Sequence, residues 1–146
     1  MAVPSRVLLD DRLLIEELLG GLPGATGLSL CTTAYWYYRA CRAAVLGAGG
    51  QLSGPFLRLR SAQQEKAVGS LLLLPEAIGL PDSRLTVPVM VEVARRHPRL
   101  NLLNLEAVAA AQILQADVWL SGQAAAGLLP AVLDTEGIAW RSVAVE

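Results

Sequence analysis

The chain is short of the residues that form disulfides, hold soft metals or relay protons. One histidine, His97, and two cysteines, Cys31 and Cys41, stand among 146 residues. That excludes a disulfide framework and a cysteine-ligand metal motif, and His97, next to Pro98, has no paired nucleophile or ligand set around it. Charge is scarce too, at 17% of residues with a net charge of -1. Such a balance gives no global attraction to nucleic acid, so any RNA binding has to come from a local patch of the eleven arginines, which stand against one lysine. No Gly-rich phosphate loop or Ser-His-Asp pattern is visible. Gly, Pro, Gln or a charge interrupts every apolar run before the ~18 residues of a membrane span, and the N-terminus lacks the long apolar core of a signal peptide. A soluble cytoplasmic protein with no membrane partner is the expectation.

What the chain has in quantity is apolar surface. Hydrophobic residues make up 53% of it, more than a domain of this length needs for its interior, so an uncovered apolar face points to a homodimer or another protein partner. The length fits a single domain over residues 1–146, with no repeat, low-complexity tract or linker. The arginine-rich, lysine-poor composition is of the kind associated with a GC-rich bacterial genome.

Strand and helix signals alternate along the chain. Arg6 to Leu9 suits a buried parallel strand, and Asp10-Asp11 opens a helix through Leu19 that Gly20, Gly21 and Pro23 stop. Leu28 to Cys31 is either a second strand or a buried connection. Thr32 or Thr33 caps a helix from Ala34 to Leu46. Ser61 and Gln64 match a capping box for a helix to about Leu74, before Pro75, and Pro88 fits the first turn of another that ends at His97. Asn101 to Leu103 reads as a possible short strand, after which Asn104 caps a helix of small residues carrying Glu106 in its first turn. A strand at Val118 to Leu120, a helix from Gln123 to Glu136 and a last strand from Ala139 to Val145 complete the pattern. Alternation of this kind predicts an α/β fold, a central parallel sheet with helices on both faces.

Three acids fall where such a sheet keeps its ligand crevice, at the C-terminal ends of strands and the starts of helices. Asp10 and Asp11 follow the first strand, and Glu106 is the only charge on its helix. Several carboxylates at one edge can hold Mg²⁺ or Mn²⁺ through hard oxygen contacts. An acid in a first turn is equally favoured by the helix dipole and the orphan N–H groups, with no ligand involved.

The order VLLDDRLLIEELL, TTAYWYYRACRAA, LLPEAIGLPDSRL with VPVMVEVARRHP, then LNLEAVAAAQILQADVWLSGQ resembles the PIN domain family, most nearly its actinobacterial toxin-like branch, over nearly the whole chain. The resemblance implies a three-layer fold and, in metal-dependent endoribonucleases of toxin-antitoxin systems, a quartet of acids holding one or two divalent ions that activate water to cleave RNA. Carried over by position, Asp10 is the first-strand acid, with Asp11 where the family usually has Thr or Ser, and Glu106 is the third. The second falls among Trp36, Tyr37 and Tyr38, and the fourth on Gln123. The implied catalytic pair is thus Asp10 and Glu106, with Asp11 and Gln123 as further metal ligands. Asp117 begins its strand and belongs to the opposite edge. With two carboxylates missing, weak or absent cleavage is expected, the alternative being a non-catalytic PIN-like scaffold for a protein partner, an antitoxin included, or for RNA.

Tyr35, Arg39 and Arg42 recur on one helix face, where a base could stack and two guanidiniums meet phosphate. The other reading packs Trp36 and the tyrosines into the core or a dimer seam and leaves the arginines solvated. Arg95, Arg96, His97 and Arg99 form a second basic run, which the C-terminal dipole of their helix explains.

Overall fold

The structure, a computed structural model, describes residues 6–46, 54–57 and 59–145. In chain order the elements are β1 (Arg6–Leu9), α1 (Asp11–Gly20), β2 (Ser29–Cys31), α2 (Ala34–Leu46), α3 (Gly54–Leu57), α4 (Ser61–Leu72), α5 (Ser83–Arg96), α6 (Leu102–Leu114), β3 (Asp117–Leu120), α7 (Gly122–Ala125), α8 (Leu129–Thr135) and β4 (Trp140–Ser142). The four strands form one sheet in the order β2-β1-β3-β4, and every pairing is parallel. Beyond β2, Gly79 adds a single bridge: its N–H donates to Leu30 O at 2.9 Å and its carbonyl accepts from Thr32 N at 3.0 Å.

Alternation along the strands sends side chains to two cores. Val7, Leu9 and Trp119 face α1, α2 and α4, whereas Leu8, Val118 and Leu120 face α6 and α8. All of these strand residues are buried, which at ~2 kcal/mol for each large apolar side chain makes the central strands the main source of stability. The small residues of α6, Ala107, Val108, Ala109, Ala110 and Ala111, let that helix sit close to the sheet and under α5. Trp36 is 2% exposed and belongs to the α6 side of the core, so it cannot form a dimer seam. On the outer edge Arg141 stacks over the Trp119 ring at 4.0 Å, covering it with an amphipathic side chain.

Several boundaries differ from the sequence pattern, each for a local reason. Leu28 to Cys31 does contain a strand. Asn101, not Asn104, caps α6, its side chain accepting from Asn104 N at 2.9 Å, so residues 102–103 are helical and Glu106 sits beyond the first turn. Asp82 caps α5 through Arg84 N at 2.9 Å, which places Pro88 in the helix interior. The cap of α4 is Arg60, whose N–H donates to Gln63 Oε1 at 3.4 Å, while Gln64 bonds Leu59 O instead. The expected helix from Gln123 to Glu136 is two helices, because Pro130 has no N–H to offer Ala126 and is accommodated in the first turn of α8. Strand β4 is shorter than 139–145, although bonds from Val118 N to Ala139 O and from Val143 N to Leu120 O extend its ladder.

The basic run at the end of α5 does more than complement a dipole. Glu136 accepts from Arg96 Nε and Nη2 at 3.0 and 2.7 Å, from His97 Nε2 at 2.8 Å and from Gln112 Nε2 at 2.8 Å, joining α5, α6 and the end of α8. The Arg96 hydrogen bonds, reinforced by those from His97 and Gln112, hold the Glu136 carboxyl down at about 2. A folded-state pKa below the unfolded one contributes stability that is present above about 4.5 and lost as pH falls toward 2. Chemical denaturation should show Glu136→Gln less stable by on the order of 2 kcal/mol at pH 7, with the difference from the parent protein shrinking below pH 4.

Candidate functional site

Asp10 directly follows β1, and its extended backbone makes it the N-cap of α1. One carboxylate oxygen, Oδ1, accepts from Leu13 N at 2.9 Å, and the other accepts from Ser121 N at 2.8 Å and Ser121 Oγ at 2.7 Å. Ser121 directly follows β3, so a single carboxylate ties the ends of the adjacent strands β1 and β3 to the start of α1. The side chain is fully buried. Burial, assisted by the neighbouring Asp11 charge, raises its pKa to about 6, and the bonds from Leu13 and Ser121 limit the rise.

Asp11, the first residue of α1, faces outward into the crevice. Its Oδ2 accepts from Arg39 Nε at 2.7 Å, and its Oδ1 lies 2.8 Å from Arg12 N. Glu106 reaches from α6 to the start of α2, where Oε1 accepts from Tyr35 N at 2.8 Å. Thr33 Oγ1 accepts from Trp36 N at 3.0 Å, so two side chains together satisfy the first turn of α2. Thr32 Oγ1 donates to Leu9 O at 2.8 Å and fastens the end of β1 to the loop after β2. Asp10, Asp11 and Glu106 thus lie on the C-terminal side of the sheet, over the adjacent strands β1 and β2. Asp117 pairs with Val7 near the beginning of β1, at the other edge.

A cleft of about 430 Å³ opens beside these acids. Asp11, Arg39, Asn101, Asn104, Ser121 and Gln123 contribute its polar lining, and Trp36 part of its apolar wall. Gln123, exposed in α7, therefore shares the cleft with Asp11, while Asp10 and Glu106 lie behind it with their carboxylates bonded to backbone N–H groups. Tyr35 is exposed, Arg39 carries its charge to Asp11, and Arg42 is half-buried with its Nε unbonded. The residues that sequence reasoning missed are Ser121, Asn101 and the Thr32–Thr33 pair in its full role. A hydroxyl residue immediately after a strand, as at Ser121, was the available signal.

The donor set sets a strict condition on a hard divalent ion. Mg²⁺ needs several oxygen lone pairs converging in near-octahedral geometry. Both oxygens of Asp10 already accept protein hydrogen bonds, a guanidinium holds Asp11, and no group of three or more Asp, Glu, His or Cys residues able to hold an ion occurs among the described residues. In this arrangement the residues do not fit a tight Mg²⁺ or Mn²⁺ centre. A group whose folded pKa is raised stabilises the protein most when protonated, so the Asp10 contribution should weaken as pH rises from about 4 to about 6. Urea titrations across that range should show this loss, on the order of 2 kcal/mol, in the parent protein and its absence in Asp10→Asn.

No family model matches this chain, and neither does any curated protein. Among solved structures it is similar to a chain of VapBC-1 from nontypeable Haemophilus influenzae, with a TM-score of 0.52 and 12% sequence identity, over 94% of this chain and 97% of that one. At that identity the likeness is one of fold: a parallel four-stranded sheet between two layers of helices, the PIN-like three-layer arrangement.

Proposed function

We propose that this is a PIN-like domain of the toxin-antitoxin type whose acidic edge has become structural. Its fold resembles that of metal-dependent endoribonucleases, its cleavage of RNA is weak or absent, and it acts by holding a protein partner, an antitoxin being the foremost class. The observation that carries this reading is the commitment of the acids. Asp10 caps α1 and anchors Ser121, Glu106 caps α2, and Asp11 is neutralised by Arg39. A guanidinium on a short tether neutralises the cleft as a bound cation would, yet it offers neither an open coordination position nor a bound water of lowered pKa. The likeness in fold to VapBC-1 supports a protein partner, and the high apolar content of the chain supports it independently.

A second reading, RNA held without being cut, draws on one observation: Arg39 lines the cleft from α2, and Tyr35, one turn earlier on the same helix, is exposed. Arg42 adds less to such a surface, being half-buried.

Incubation of the purified protein with single-stranded RNA should give little or no cleavage above an EDTA control, with either Mg²⁺ or Mn²⁺ added. Robust metal-dependent turnover that disappears in both Asp10→Asn and Glu106→Gln would overturn the reading and restore a ribonuclease with Asp10 and Glu106 as its catalytic acids and Asp11 and Gln123 assisting at the metal.

A further inference from the structure

The basic run at the end of α5 leaves one charge unanswered. Arg96 and His97 bond Glu136, and Arg95 lies beside Glu92. Arg99 stands on the turn between α5 and α6, which Leu100 N closes by donating to His97 O at 3.1 Å, with Pro98 at the position such a turn favours for proline. Arg99 is exposed and meets no carboxylate among the described residues.

That turn and the start of α8 enclose a second hollow, of about 310 Å³, outside the cleft. Pro98, Leu100, Leu128, Ala131 and Val132 make its walls, and Arg96, His97 and Arg99 supply its polar side chains. Leu128, 58% exposed, also lines the cleft, so the two cavities adjoin at that side chain. Sites for small ligands have this form: roughly 300–1,000 Å³, apolar walls and a few convergent polar groups. With Glu136 answering Arg96 and His97, the surplus charge at the rim is one guanidinium, and its complement is one carboxylate. The apolar walls are aliphatic and offer no phenyl or indole face for stacking, so the matching body is a flexible saturated chain.

We propose that this hollow binds a medium-chain fatty acid, its acyl chain between Leu100, Leu128 and Val132 and its carboxylate on Arg99. The site goes beyond the reading of the cleft and stands or falls separately from it, because none of the acids of the cleft lines the hollow.

Titration of hexanoate, octanoate and decanoate into the isotopically labelled full chain, followed by two-dimensional NMR, tests this. Saturable shifts should appear at Leu100, Ala131 and Val132 and spare Asn104 and Gln123, which line the cleft alone. Affinity should rise about fourfold for each methylene until the hollow is full. Arg99→Gln should weaken octanoate about fivefold and leave octanol, which lacks the charge, unaffected. Ala131→Phe, at an exposed position of α8, should fill the hollow and abolish binding of both. Unchanged resonances elsewhere would show that each variant folds. No saturable shift up to about 10 mM octanoate, shifts confined to the cleft, or binding indifferent to either variant would overturn the proposal and leave the hollow to the side chain of a protein partner.

Discussion

The Asp10 carboxylate is the junction on which the functional edge depends. Parallel strands end with unpaired backbone groups, and the helices that follow them begin with orphan N–H groups, so the C-terminal edge of such a sheet has donors to satisfy. Asp10 satisfies Leu13 at the start of α1 and Ser121 at the end of β3, and so fastens two crossover units together from inside the fold. Glu106 does the same between α6 and α2, with Thr33 serving the adjoining turn. The edge is organised by acids reaching for backbone amides.

An acidic edge of this kind carries its own difficulty, because adjacent buried carboxylates raise one another's pKa. Asp10 shows it, held near 6 by burial and by Asp11 despite three stabilising hydrogen bonds. A divalent ion is one remedy and a tethered guanidinium is another. Arg39, 2.7 Å from Asp11, supplies the second. Position 123 carries a neutral amide and the start of α2 aromatic residues, so Asp11 is the carboxylate that lines the cleft, and one guanidinium balances it.

Much of the fold could be read from the chain. The apolar runs at Val7 to Leu9 and Val118 to Leu120, each followed by a polar residue and a helix, are short, buried and unambiguous, and they are the two central strands. The Ala-rich run from Ala107 to Ala111 marked a helix against the sheet. Illegible features were those in which two similar local signals compete. Asn101 and Asn104 are equally good caps, and the extended backbone at Asn101 decides. Asp82 outweighs Pro88 in setting where α5 begins. The break before α8 is legible in Pro130, which fits only the first turn of a helix. At the site, periodicity located Asp10, Asp11 and Glu106 on one side of the sheet but could not supply their partners. The bonds to Ser121, Arg39 and Tyr35 join residues 111, 28 and 71 positions away. Glu136 escaped notice for the same reason, since Arg96 and Gln112 meet it only after α5, α6 and α8 have packed.

Calorimetric titration of Mn²⁺ into the parent protein and into Arg39→Gln tests whether Arg39 neutralises the cleft in place of a metal ion. The parent protein should bind weakly, with a dissociation constant of about 1 mM or higher, and Arg39→Gln should bind several-fold more tightly once Asp11 is released to offer its charge to the ion. Tight, stoichiometric Mn²⁺ binding by the parent protein, unchanged in Arg39→Gln and abolished by Asp10→Asn, would contradict it.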